Sequence, residues 1–468
     1  MRPLLKTITE RYATLEEPAW REAIAETLRK NRTRLVVIDD DPTGIQTVHG
    51  CLLLTEFSHE TLCAALNDEA PFFYMLVNSR AMTEEAAREV VRKAMEAVLE
   101  ANREPQYNLV FISRSDSTLR GHFPAEPDTM VEVLAEYGIV PELPMLFVPS
   151  FFEAGRMTFE GVHYMVQGEE LVPVAETEFA RDNVFGYQNS RLSDYIVEKG
   201  GGMITRDEVH HISLDDLRHL TPEALSELLL SQADKRCIST DSIDYNDLQR
   251  IALAVLACFE KKQGGRAVVI RSSSSLPKAM SGIEHQAYIS APKAGARGVV
   301  VVGSHVKKST DQLMHLLASE RVRGVEIDVE AILNDSPTLM TEILGQAAAH
   351  YAEGYTPVLY TSRREVRCDD AARRLALGAK ISQFLVEAVR ALPFRPDFLV
   401  SKGGITSHDI LTHSFEVRMA RVAGQAAAGI PTIRLGGEEH FANLLYVIFP
   451  GNVGAVETLR EVVERLSR

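Results

Sequence analysis

Three adjacent carboxylates, Asp39-Asp40-Asp41, stand before Pro42-Thr43-Gly44 at the end of the apolar run Leu35-Val36-Val37-Ile38. Three like charges at one place are costly unless a metal, an arginine or a proton neutralises them. A carboxylate there can act as general base, accept hydrogen bonds from substrate hydroxyls or hold Mg2+. The plainer alternative is a capped turn, with Asp and Gly in ordinary turn roles. A second polar loop, Ser113-Arg114-Ser115-Asp116-Ser117-Thr118-Leu119-Arg120-Gly121-His122, follows the run Leu109–Ile112. It is dense in hydroxyls and carries two arginines, which bind carboxylate or phosphate bidentately. Its plainer alternative is a solvated loop entering a helix. Asn78-Ser79-Arg80, after Phe72 to Val77, is a smaller set of the same kind. Together the loops supply a pocket for a polyhydroxy acid, Asp for hydroxyls and Arg for the carboxylate.

The second half carries three glycine turns. Gly303-Ser304 follows Val299 to Val302 and precedes Lys307-Lys308. Glycine lets a phosphate approach the backbone, and a helix N-terminus adds N–H donors and a positive dipole. Lys402-Gly403-Gly404-Ile405-Thr406-Ser407 repeats the arrangement after Phe398-Leu399-Val400, and Pro450-Gly451-Asn452-Val453-Gly454 is a third. None is a Walker A loop, because the Gly-Lys-Ser order is missing. Each alone reads more readily as a plain turn; three in one half bring a nucleotide phosphate site level with that reading. The 14 histidines show no HExxH spacing, and no GxSxG is present. His210-His211 reads as surface rather than ligand.

The elements that must position these loops are short apolar runs rich in β-branched residues, the length of buried strands. Helical stretches alternate with them. Thr83 can cap one that runs to Asn102, with Glu84 and Glu85 in its first turn and Ala87, Val90, Val91, Ala94 and Val98 at helical spacing. A second presents Ile381, Phe384, Leu385, Ala388, Val389 and Leu392 on one face. Alternation of strand and helix predicts parallel α/β sheets, with ligands beyond the carboxyl ends of the strands, where the polar loops fall. The turn-rich segment 290–297 reads as a linker between residues 1–292 and 298–468. Residues 160–260 are less legible.

The chain has 468 residues, long enough for two domains, with 45% apolar and 25% charged residues. Its 65 acidic and 50 basic residues leave a net charge of −15, which argues against nucleic-acid binding and against anchoring to anionic lipid. No apolar run reaches the ~18 residues of a membrane span. Five scattered cysteines, Cys51, Cys63, Cys237, Cys258 and Cys368, suggest neither a disulfide framework nor a zinc site. A cytoplasmic location is expected.

Asp40-Asp41-Pro42-Thr43-Gly44 and Asp116-Ser117-Thr118-Leu119-Arg120-Gly121 resemble motifs of the four-carbon acid sugar kinase family. Gly303-Ser304, Gly403-Gly404-Ile405-Thr406 and Gly451-Asn452-Val453-Gly454 look like that family's later motifs, in the same order. The resemblance implies two α/β domains, acid-sugar-binding then nucleotide-binding, each a mainly parallel sheet flanked by helices, with the active site in the cleft between them. It implies ATP-dependent phosphorylation of the terminal hydroxyl of threonate, erythronate or a 3-oxo-tetronate, with Mg2+ bridging the phosphates and domain closure excluding water. Asp41, with Asp116 as runner-up, would orient or deprotonate the attacking hydroxyl. Asp40, Asn78, Arg80, Ser117 and Arg120 would contact substrate, with Arg120 or Arg80 on the carboxylate. Ser304, Gly403, Gly404, Ile405, Thr406 and Gly451 would contact ATP. A homodimer is a further expectation. The chain departs from the family pattern at Asp39 and Pro42 around the Asp pair, at Ile405 where an acid is usual, and at His305-Val306 after the Gly-Ser turn. A branched or oxo acid is the main alternative substrate. A non-catalytic sugar-acid sensor and an NAD-dependent dehydrogenase are the rivals, the latter disfavoured by the lack of a GxGxxG.

Overall fold

The computed structural model describes residues 5–12, 19–259, 264–363, 371–436, 441–451 and 453–468. The chain forms two compact units, Met1–His285 and Gln286–Arg468. Among the described helices none is long and apolar enough to cross a membrane.

In the first unit, β1 (Thr33–Asp39), β2 (Leu52–Leu54), β3 (Phe72–Leu76), β4 (Asn108–Arg114) and β5 (Met145–Val148) belong to one sheet. The chain then leaves it for an antiparallel sheet of β6 (Arg156–Phe159), β7 (Val162–Gln167) and β8 (Glu170–Pro173). It returns with β9 (Val209–Ile212), β10 (Cys237–Thr240) and β11 (Ala267–Ser272). The main sheet runs β2-β3-β1-β4-β11-β5-β10-β9, every pair parallel. Strands covered on both faces read as unbroken apolar runs, and Leu35 to Ile38 and Val110 to Ile112 are all buried. The helix expected after Thr83 spans Glu84–Ala101. Thr83 accepts the amide of Ala86, and Ala87, Val91, Ala94 and Val98 face the core.

The hard-to-read stretch 160–260 thus contains a small antiparallel sheet and two further parallel strands. β6 and β7 are joined by Glu160 and Gly161, both at positive φ, the backbone that a two-residue hairpin requires.

The second unit contains β12 (Gly298–Val302), β13 (Val322–Ile327), β14 (Thr356–Thr361), β15 (Phe398–Lys402), β16 (Met419–Ala427), β17 (Ile430–Arg434) and β18 (Leu445–Phe449). Their order is β13-β14-β12-β15-β18-β17-β16. The first five are parallel, and β17 and β16 extend the sheet antiparallel. Helix Ala371–Arg390 buries Leu385, Ala388 and Val389, and Leu392 is buried just beyond its end. Residues 290–297 are irregular, as their composition implies, but they pack on the second unit. Ala296 is buried, the Ile289 amide donates to Gln425 O at 2.8 Å, and the Gly295 amide donates to Arg468 O at 3.2 Å.

Candidate functional site

The first unit's polar loops meet at one edge of its sheet. β3 and β4 flank β1, so the strand order reverses there, which opens a crevice beyond the carboxyl ends. In register, Asp39 lies between Leu76 of β3 and Arg114 of β4, with Ser272 of β11 beyond. That lateral neighbour is the first counter-charge: Arg114 Nη1 donates to Asp39 Oδ1 at 3.1 Å.

The three aspartates have different surroundings. Asp39 is fully buried and its Oδ2 has no partner. Burial, helped by the charges of Asp40 and Asp41 and opposed by Arg114, pushes its carboxyl up to about 7. Asp40 is saturated. Arg80 grips it with Nε at 2.9 Å and Nη2 at 2.5 Å, Ser115 Oγ donates at 2.5 Å, and Arg114 lies at 3.5 Å. Asp41 accepts from the amide and hydroxyl of Thr43 at 2.8 and 2.5 Å and from Arg80 Nη1 at 3.3 Å. Burial raises its carboxyl, but Arg80 and Arg114 outweigh that and hold it below the usual range. Asp41 keeps 23% of its side chain accessible against 2% for Asp40, so Asp41 is the one of this pair that a substrate can reach.

On the β4 loop, Asp116 accepts from Arg120 Nε at 2.7 Å and from the Thr118 hydroxyl. Burial raises its carboxyl, but Arg80 and Arg120 outweigh that and hold it far below the usual range. Arg120 also faces Asp182 at 3.6 Å and lies over the Phe179 ring. Ser117 is buried, and its carbonyl accepts from His163 Nε2 of β7 at 2.8 Å. Burial lowers His163 to about 4, so the ring is neutral and its Nδ1 accepts from the Thr158 hydroxyl at 2.9 Å. Gly121 sits at φ +119°, and a Cβ there would lie 2.3 Å from Ser115 Oγ and 2.9 Å from Arg271 Nη2. Asn78 adopts a left-handed backbone (φ 52°), which starts the turn that carries Arg80. All seven residues expected on the acid side therefore lie on the β1, β3 and β4 loops of this one edge. Arg114 of the same β4 loop, and Arg271 with the serines after β11, lie at this edge too. Arg271 Nη1 donates to Glu126 at 2.8 Å and to Ser113 Oγ at 2.9 Å, and Arg114 Nη2 donates to Ser274 Oγ at 3.1 Å.

In the second unit the three glycine turns follow β12, β15 and β18, which are adjacent. The strand order reverses between β12 and β15. A Cβ on Gly303 would lie 2.3 Å from Thr406 Oγ1, so the first two turns touch through a missing side chain. The Ser304 amide donates to Lys402 O at 3.4 Å, and the Gly403 amide donates to Phe449 O at 2.9 Å. Ser309 Oγ donates to Ser304 Oγ at 3.0 Å and to Gly451 O at 3.1 Å. Gly404 opens the short helix Gly404–Asp409, and a Cβ there would meet nothing within 4 Å. Ile405 is 74% exposed, so its side chain belongs to the surface of the turn. Asn452 lies outside the described residues, as does Cys368.

Two cations complete this edge. Lys402 is fully buried, and its Nζ donates to Pro450 O at 2.5 Å and Gly451 O at 3.2 Å. Burial, with Lys308 nearby, lowers it to about 7. Arg363 Nη1 donates to Ser304 O at 2.7 Å. Among the described residues neither has a carboxylate within ion-pair distance. Glycine turns, a hydroxyl cluster and two unbalanced cations fit a polyphosphate. No group of three or more His, Cys, Asp or Glu side chains among the described residues could form a metal cage. Mg2+ characteristically binds through substrate phosphates rather than in an all-protein cage.

A Sugar-binding N-terminal domain profile matches residues 35–280, and a Nucleotide-binding C-terminal domain profile matches residues 299–459. A D-erythronate kinase of Heliobacterium modesticaldum is 24% identical over 314 residues, a stretch that is 64% of this chain and 64% of that protein. The match thus spans a little under two-thirds of the relative. The crystal structure of Haemophilus influenzae protein HI1011 has the same fold, with a TM-score of 0.65 at 16% identity over 92% of this chain and 100% of that one. With those two profiles matched in that order along most of its length, the chain belongs to the four-carbon acid sugar kinase family.

Proposed function

We propose that the protein transfers the γ-phosphoryl group of ATP to the terminal hydroxyl of a four-carbon sugar acid of the threonate or erythronate type. The observation that carries this reading is the pairing, in one chain, of an Asp/Arg/Ser edge on a sugar-binding fold with a Gly/Ser/Lys/Arg edge on a nucleotide-binding fold. The H. modesticaldum relative supports the same class of substrate.

Phosphoryl transfer passes through a loose transition state, so positioning and charge neutralisation do most of the work. Direct transfer needs the acceptor oxygen and the γ-phosphorus within bonding reach, so turnover brings the acid held by the first unit to the nucleotide held by the second. Asp41 orients the acceptor hydroxyl and takes its proton as the O–P bond forms. Its low basicity suits a reaction in which that proton leaves late. Asp40, saturated by two arginines and Ser115, holds Arg80 against Asp41. Lys402, Arg363 and the amides of the Ser304 and Gly403 turns cradle the phosphates. Mg2+, bound with ATP, would supply charge neutralisation.

A coupled ADP-release screen over the stereoisomers of four-carbon sugar acids and their oxo derivatives tests the proposal. One or a few acids should give ATP-dependent turnover above the rate without acid. Binding of an acid without ADP release would replace this reading with that of a sensor.

A further inference from the structure

Five arginines crowd the acid-binding edge, and four of them are occupied, Arg271 by Glu126 at 2.8 Å. Arg80 is shared between Asp40 and Asp41, Arg114 between Asp39 and Asp40, and Arg120 between Asp116 and Asp182. Arg156, at the start of β6, is different. Its Nη1 donates to Ala154 O, its Nε is buried with no partner, and no carboxylate among the described residues lies within ion-pair distance. Its charged neighbours are nevertheless Asp116 and Arg120 of the β4 loop. The same small sheet is pinned to that loop, because His163 of β7, another neighbour of Arg156, donates to the Ser117 carbonyl.

A half-buried guanidinium with no counter-ion is costly to keep. It is retained where an arriving anion completes it, and its planar fork matches a carboxylate through two parallel N–H···O bonds. Arg80 and Arg120 already hold aspartates, so a substrate carboxylate there would have to share their guanidinium groups. We propose that Arg156 holds the carboxylate of the substrate, while Arg80 and Arg120 fix the aspartates that receive its hydroxyls. The assignment rests on the sugar-acid reading of the first unit and names what would make that unit prefer acids over neutral polyols. β6 then anchors one end of the substrate, leaving the far hydroxyl for Asp41.

Calorimetric binding to the whole protein tests it, with threonate and erythronate as acids and threitol and erythritol as the matching polyols. The wild type should bind at least one acid well above its polyol. Arg156→Met should weaken that acid by about 30-fold or more, the loss typical of a buried charge partner, and leave the polyol nearly unchanged. Arg156→Lys, which keeps the charge without the fork, should recover part of the preference. ATP affinity should be unchanged in both variants, which a general loss of structure would not allow. Retention of wild-type acid affinity in Arg156→Met, or wild-type protein that binds neither acid or binds polyols equally well, overturns the assignment. Acid binding by the wild type without ADP release contradicts the phosphoryl-transfer reading and leaves Arg156 standing.

Discussion

Asp39, Asp40 and Asp41 solve the problem of three adjacent carboxylates with two of the expected means, arginines and a proton. Arg80 and Arg114 neutralise Asp40 and Asp41, and burial keeps Asp39 protonated up to about pH 7. Only Asp41 is left accessible enough to act. Asp41→Asn should therefore lower kcat by about 100-fold or more, the usual contribution of a positioned acid–base group, with ATP affinity retained. Turnover near wild type in a steady-state assay would remove Asp41 from the reaction. Lys402 gives a pH signature. Its folded pKa, about 7, lies below the ordinary lysine value of 10.5, so the unfolded chain binds more protons between those values and stability rises with pH. Between pH 7 and 9 the gain should be about 2 kcal/mol in denaturant titrations of the wild type and absent in Lys402→Met. Phosphate beside Lys402 would restore its proton. ATP binding at pH 8 should then take up nearly one proton in the wild type and none in Lys402→Met, read from calorimetric enthalpies in buffers of different ionisation heat. The polar loops were legible in sequence because hydroxyls and charges end apolar runs. Lys402 and Arg363 were legible only as residue types, since what distinguishes them, the lack of a carboxylate partner, is a property of the packed structure.

Between elements, backbone approach decides more than side chains do. Gly121→Ala would drive a Cβ into Ser115 Oγ and force φ +119° on a residue that resists it. The variant should lose about 2–3 kcal/mol of stability and bind sugar acids poorly, measured by chemical denaturation and calorimetry. Gly303→Ala would displace Thr406 in the second unit. It should raise the KM for ATP about tenfold or more while acid binding stays unchanged. The parallel strands were readable from their unbroken apolar runs and the helices from their caps and spacing. The stretch from 160 to 260 was not. β6 to β10 are four to six residues long and carry polar residues such as His163, His210 and His211, and β9 and β10 pair with partners distant in sequence. His211, expected at the surface, lies half-buried with Nδ1 2.9 Å from Ser239 Oγ. Short strands of this kind take their structure from their neighbours rather than from a period of their own.

Over the whole molecule, a net charge of −15 coexists with the two anion sites we propose. Attraction is local, held in Arg80, Arg120, Arg156, Lys402 and Arg363. The two sites belong to separate compact units, so each ligand should protect its own. In hydrogen-exchange measurements ATP should slow exchange at 303–309, 402–408 and 450–454, and a sugar acid at 39–44, 78–82 and 114–122. Protection of the first unit by ATP alone would break that division. The most direct measurement is identification of the product formed from ATP and a four-carbon sugar acid, by ADP assay together with phosphorus–proton correlated NMR. One ADP should appear for each phosphate ester, with the phosphorus coupled to the protons of the terminal carbon. ADP accompanied only by inorganic phosphate, or no ADP with any acid of the panel, would contradict sugar-acid phosphorylation.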